Sequence, residues 1–108
     1  VLQPAKRGMP VSYRRFDCSR MELTEVRTFQ PQGILLVEGA YSCHPKLRDY
    51  FDLRIFVSID PEMQMQRILL RNGSERAEMF RNRWIPLEEN YIAQCQVEEV
   101  CDLHLCAD

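Results

Sequence analysis

Two groups of residues carry types and spacings suited to chemistry. Glu38 stands directly after the apolar run Ile34-Leu35-Leu36-Val37 and directly before Gly39. Such a continuous apolar run predicts a strand buried on both faces, as in parallel sheets. A carboxylate at the carboxyl end of that strand would point into the crevice where open α/β sheets bind ligands. The competing reading is a Glu that ends the strand in solvent, with Gly39 turning the chain. The second group is arginine-rich: Arg67, Arg71, Arg76, Arg81 and Arg83 occur without a lysine among them, and the acids in that span are Glu75 and Glu78. Guanidinium forks match phosphate oxygens better than ammonium groups do. Spread over two short helices joined at Gly73-Ser74, they could close over a polyphosphate and offset charge as a phosphoryl group moves. The plainer alternative is a solvated helix face with ion pairs such as Glu78 with Arg81.

A third constellation is Tyr13-Arg14-Arg15-Phe16-Asp17. In an extended segment Tyr13, Arg15 and Asp17 face one way and Arg14 and Phe16 the other. Asp17 could then accept hydrogen bonds from sugar hydroxyls, or the segment could be an exposed edge with an Arg–Asp pair.

The elements that must position these residues follow from local signals. A short edge element is expected around Met21 to Val26, ended by Gln30-Pro31-Gln32-Gly33. After the strand leading to Glu38, Leu47, Tyr50 and Phe51 predict a short helix over residues 46–51 behind Pro45. Residues 53–59, rich in β-branched and aromatic side chains, predict a second buried strand. Asp60-Pro61-Glu62 combines a capping side chain, a first-turn Pro and a first-turn acid, so a helix starts there and runs to Asn72-Gly73. Met63, Met65, Ile68, Leu69 and Leu70 should pack on the sheet while Arg67 and Arg71, four apart, share another face. Gly73 is expected to end the helix as an αL cap. A helix over residues 75–84, another from Pro86 with Leu87, Tyr91, Ile92 and Cys95, and a last strand over 102–106 complete the chain. Strand, helix, strand, helices, strand is the order of a doubly wound α/β unit with a parallel sheet.

Composition narrows the classes. With 14 basic and 16 acidic side chains in 108 residues, net charge is -2, so no global field favours nucleic acid or an anionic membrane. The apolar runs are far shorter than the roughly 20 residues of a membrane-spanning helix. Five cysteines, an odd number without a C-x-x-C pair, point to reduced thiols in a cytoplasmic protein, and His44 and His104 lack zinc-ligand spacing. Neither G-x-x-x-x-G-K-[ST] nor G-x-G-x-x-G occurs, so no glycine-rich phosphate cradle is encoded in these residues. The opening on Val1 and the aperiodic first twenty residues suggest the middle of a longer chain.

Together, YRRFD, ILLVEGAYSCHPKLRDYFDLRIFVSIDPEMQMQRILLRNG, FRNRWIPLEENY and CDLHL resemble the second half of the uridine kinase and phosphoribulokinase-like P-loop kinases, from about Pro10 to Leu105. The bacterial uridine-kinase-like branch is the best match. The resemblance implies a partial doubly wound parallel sheet of P-loop kinase type with a helical lid over about 67–84, all of residues 1–108 forming the C-terminal portion of one kinase domain. It implies that Glu38 helps hold the Mg²⁺ of ATP, consistent with a hard cation that takes carboxylate oxygen. Asp17, with Tyr13 and Arg14, matches the segment lining the nucleoside pocket, and Tyr41 and His44 sit in the loop facing the acceptor. Arg67 and Arg71 match catalytic lid arginines that clamp phosphates, and Arg76 extends that set toward the bound nucleotide.

The family's Walker A loop, with its Lys and Ser/Thr, and its candidate base precede the region matched. The expectation is therefore a carboxyl-terminal part of an ATP-dependent phosphotransferase acting on a nucleoside hydroxyl, catalytically silent in isolation. Pantothenate or a phosphorylated sugar as acceptor, and a non-catalytic binding or oligomerisation module of kinase ancestry, are the alternatives. A homo-oligomeric state is left open.

Overall fold

The computed structural model describes residues 1–107, and the chain divides into two compact units, residues 1–38 and the residues from Gly39 onward. The fold is mixed α/β, with one antiparallel and one parallel pair of strands.

The first unit holds α1 (Leu2–Lys6), β1 (Val11–Asp17) and β2 (Glu22–Phe29). β1 and β2 form a hairpin registered from Val11 opposite Phe29 to Asp17 opposite Glu22. The second strand is longer than the edge element expected from sequence, because pairing with β1 carries it past the reach of its own weak alternation. Asp17 builds the turn: its Oδ1 accepts from the Ser19 N–H at 2.9 Å, the Ser19 hydroxyl at 2.6 Å and the Arg20 N–H at 3.2 Å. Arg14 pairs with Val26 and Phe16 with Leu23, so Thr24 and Glu25 together oppose Arg15. This bulge is tied down by the Thr24 hydroxyl donating to the Arg15 carbonyl at 3.0 Å. Ser12 with Thr28 at 2.8 Å, and Tyr13 edge-on to Phe29, add cross-strand contacts.

The run Ile34–Val37 does not form the buried strand expected from its composition. It joins no ladder, and Ile34 and Leu36 are 95% and 83% exposed. A strand buried on both faces needs hydrogen-bonding neighbours and covering helices, and apolar composition supplies neither. Among the described residues the parallel ladder has two strands, so the doubly wound sheet inferred from the element order is not formed by them.

The second unit contains a single 3₁₀ turn (Arg48–Tyr50) where a short helix is expected, then β3 (Ile55–Ile59), α2 (Pro61–Asn72), α3 (Ser74–Met79), α4 (Ile85–Gln94), α5 (Val97–Val100) and β4 (Leu103–Ala107). β3 and β4 run parallel from Ile55 opposite Leu103 to Ile59 opposite Ala107. Their start is pinned reciprocally. Asp102 Oδ2 accepts the Arg54 N–H at 2.8 Å, while the Asp102 N–H donates to the Arg54 carbonyl at 2.8 Å.

α2 begins where the capping signals place it, with Asp60 Oδ1 accepting from the Glu62 and Met63 N–H groups at 2.9 and 3.2 Å. It ends at Gly73, whose φ of 83° has the expected sign but whose ψ of 170° is not that of an αL cap. The apolar stripe is narrower than expected: Ile68 is buried, Met63 and Met65 are half-buried, and Leu70 is 88% exposed. At about 100° per residue, Leu70 lies some 200° around the helix from Ile68 and cannot share its face.

The two helices expected over 75–84 and from Pro86 are one continuous run. α3 passes through a π-helical turn (Phe80–Trp84) into α4. Pro86 has no N–H to give the preceding turn, and a wider turn accommodates the shift in the hydrogen-bond ladder. Cys43, Tyr91 and Val97 form the core of this unit, with Phe56, Ile92, Cys95 and Cys101 packed against them. Among the described residues no helix is long and apolar enough to cross a membrane.

Candidate functional site

The loop after Glu38 is built from successive tight turns: the Ser42 N–H donates to the Gly39 carbonyl at 3.1 Å, His44 to Tyr41 at 3.2 Å and Leu47 to His44 at 2.7 Å. These turns bring the two loop residues expected from sequence onto one partner on α4. Tyr41 meets Tyr91 edge-on with ring centroids 4.7 Å apart, and His44 lies nearly parallel to the same ring at 6.5 Å. His44 Nδ1 accepts the Lys46 N–H at 3.2 Å, which leaves Nε2 to carry the proton of a neutral ring.

Tyr91 and Arg48 lie beneath this loop, and sequence reasoning gives neither a role. Tyr91 reads as one apolar position of an amphipathic helix, and only its contact with a distant loop distinguishes it. Its ring is 8% exposed, and its hydroxyl is buried without a hydrogen-bond partner. Burial, then the neighbouring Cys43 and Cys95, push its pKa up, so the phenol stays protonated. Arg48 donates from Nη2 to the Cys95 carbonyl at 2.9 Å, while its Nε is also buried without a partner. The Tyr41–His44–Tyr91 group with Arg48 thus joins aromatic packing to two buried donors without partners.

The hairpin places Tyr13 and Asp17 on one face of β1 and Arg14 on the other. Hydrogen bonds from the Ser19 hydroxyl, the Ser19 N–H and the Arg20 N–H hold the Asp17 carboxyl below its usual range. That oxygen is therefore committed to shaping the turn. Beyond the bulge, Glu25 bridges two guanidinium groups: Arg27 donates from Nε at 3.2 Å and Nη2 at 3.1 Å, and Arg15 stands 3.6 Å away. The Thr24 side chain first, then the Glu25 N–H and the Arg27 guanidinium, lower the Glu25 carboxyl to about 2.

Glu38, the last residue of the first unit, is exposed. Arg67 and Arg71 lie one turn apart on α2 and Arg76 lies past Gly73 on α3, all exposed. Arg83 stacks over the Trp84 ring at 5.5 Å, a contact that residue spacing did not suggest. Among the described residues no group of three or more His, Cys, Asp or Glu is arranged to hold a metal ion.

The profile of the Phosphoribulokinase / Uridine kinase family matches residues 1–82. The chain is 29% identical over 100 residues to a uridine kinase of Staphylococcus carnosus, covering 84% of this chain and 48% of that protein. It is 30% identical over 77 residues to uridine kinases of Macrococcus caseolyticus and Staphylococcus aureus, covering 69% of this chain and 37% of each. The chain thus spans about half the length, or less, of the curated relatives it matches.

Proposed function

From the premise that this chain belongs to the Phosphoribulokinase / Uridine kinase family, we propose that it is the carboxyl-terminal part of an ATP-dependent phosphotransferase whose acceptor is a nucleoside hydroxyl. The observation that carries the reading is the family match, which spans Glu38, the Tyr41–His44 loop and Arg67, Arg71 and Arg76. A protein in which these residues act together would catalyse by positioning and charge stabilisation rather than through a covalent intermediate.

The residues fit the groups this reaction requires. Glu38 is one hard carboxylate, and Mg²⁺ is commonly held by one or two carboxylates plus waters and substrate phosphates rather than by a full protein cage. Bound Mg²⁺ would neutralise phosphate charge. Arg67, Arg71 and Arg76 present guanidinium groups suited to the triphosphate, and the two on α2 can grip neighbouring oxygens. Tyr13, Arg14 and Asp17 on the hairpin, with Tyr41 and His44, are assigned to the acceptor. Because one Asp17 oxygen holds the hairpin turn, its contribution to the acceptor is orientation as much as direct contact. The finer architecture that goes with this reading is a doubly wound sheet completed by further strands, with the segment 67–84 as its lid.

The test is phosphate transfer from ATP to uridine in the presence of Mg²⁺, with a protein of the relatives' full length carrying these residues. Transfer is expected, and the Arg67→Ala and Arg71→Ala variants should each lose about 100-fold or more in kcat, as arginines that stabilise a moving phosphoryl group do. The 108-residue chain alone should show no turnover. Failure of the full-length protein to phosphorylate any nucleoside would overturn the acceptor assignment, and turnover by the short chain would overturn its assignment as an incomplete part.

A further inference from the structure

The loop that follows Gly39 is held against α4 along its length. The Tyr41 ring meets Tyr91 edge-on at 4.7 Å, the His44 ring lies within 7° of parallel to the same ring at 6.5 Å, and Cys43 between them is buried in the cluster it forms with Tyr91 and Val97. Arg48 fastens the far end. Its N–H donates to the His44 carbonyl at 3.0 Å, and its Nη2 donates to the carbonyl of Cys95, the residue that ends α4, at 2.9 Å. The Cys95 N–H donates in turn to the Tyr91 carbonyl at 2.9 Å, so the tether and the ring belong to one helical turn.

The rings differ in what can reach them. Tyr41 is exposed and His44 half-buried, whereas Tyr91 is buried and its hydroxyl lies out of contact with solvent. A molecule arriving from solvent therefore meets Tyr41 and His44, with Tyr91 behind them. A buried ring in contact with both side chains restricts their rotamers, and side chains already held lose less freedom when a ligand binds.

We propose that Tyr91 is a positioning residue for the acceptor: its ring fixes the Tyr41 and His44 side chains in the orientation in which they meet the nucleoside. The inference rests on the reading of this loop as part of the acceptor site. Tyr91 acts through the two loop residues and touches no substrate itself. The ring carries the role and the hydroxyl does not, because that hydroxyl has no hydrogen-bond partner in the loop or elsewhere among the described residues. Without the ring, acceptor binding would have to immobilise both side chains, so the loss falls on acceptor binding before it falls on the transfer step.

The test compares Tyr91→Leu, which keeps apolar bulk without the ring, with Tyr91→Phe, which keeps the ring without the hydroxyl. Both are placed in a protein of the relatives' full length and assayed with ATP, Mg²⁺ and uridine below their melting temperatures. Tyr91→Leu should raise KM for uridine by about 10-fold, more than it changes kcat or KM for ATP, and Tyr91→Phe should return it to within about twofold of wild type. Simple loss of folded protein would lower the apparent kcat and leave both KM values in place, so this split separates positioning from stability. A second measurement needs no variant: in wild-type protein with labelled aromatic side chains, nuclear Overhauser contacts should join the Tyr91 ring to the rings of Tyr41 and His44. Absence of those contacts, an unchanged uridine KM in Tyr91→Leu, or a Tyr91→Phe protein as impaired as Tyr91→Leu would each overturn the proposal. Wild-type protein that shows the contacts yet phosphorylates no nucleoside would overturn the acceptor assignment, and the positioning role with it, while the packing of the loop on α4 would stand.

Discussion

Ile34–Val37 and Ile55–Ile59 are both apolar runs with β-forming side chains, yet only the second becomes a strand. The difference lies outside either run. Ile55–Ile59 has Leu103–Ala107 as a hydrogen-bonding partner, the Arg54–Asp102 exchange to set register, and the Tyr91 core under Phe56. Ile34–Val37 has no ladder partner among the described residues, and its side chains face solvent. Strand character is thus conferred by neighbours, and composition alone measures only readiness for it.

This contrast can be broken most severely from beneath. Tyr91→Ala removes the floor shared by the loop and β3 and should cost about 3 kcal/mol, read as a lower urea midpoint. Tyr91→Phe should be neutral or slightly stabilising, since it deletes a buried hydroxyl that has no partner. Asp102→Ala leaves the Arg54 N–H without its acceptor and should push β3 toward the unpaired condition of Ile34–Val37. A lower urea midpoint is expected, with faster amide exchange at Ile55 to Val57. Leu36→Ser sharpens the contrast from the other side: at an exposed position it should change stability by less than about 0.5 kcal/mol.

The smallest effect expected is electrostatic and confined to the hairpin. Glu25 has its carboxyl lowered from 4.5 to about 2, so its ionised form is favoured in the folded state. Its stabilisation is complete above 4.5 and is lost as pH falls through about 2. Cross-strand amide signals from Tyr13 and Arg27 followed by NMR should weaken over that window, and Glu25→Gln should reduce the dependence to the part that Asp17 contributes.

What the sequence made legible was local. The start of α2 could be read because Asp60, Pro61, Glu62 and Met63 complete the cap among themselves. Tyr41 and His44 could be singled out as neighbours in a loop, but not their meeting on Tyr91, which is set by how α4 passes beneath them. Asp17 was recognisable as a polar group of consequence, whereas its service to the hairpin turn depends on Ser19 and Arg20 folding back. Pro86 suggested a new helix and instead sits just past a π turn in an unbroken one, because the preceding residues keep helical geometry with altered pairing. The failure at Ile34–Val37 has the same origin: long-range pairing leaves no trace in a single run of residues.

Gly73 joins α2 to α3 at a φ of 83°, and a β-carbon there would meet no atom within 4 Å. Crowding therefore does not explain the glycine; the torsion does. The aim of Arg76 relative to Arg67 and Arg71 hangs on one achiral pivot, so adding a side chain at this joint would strain the backbone, whereas a change at the solvent-facing Leu70 beside it would not.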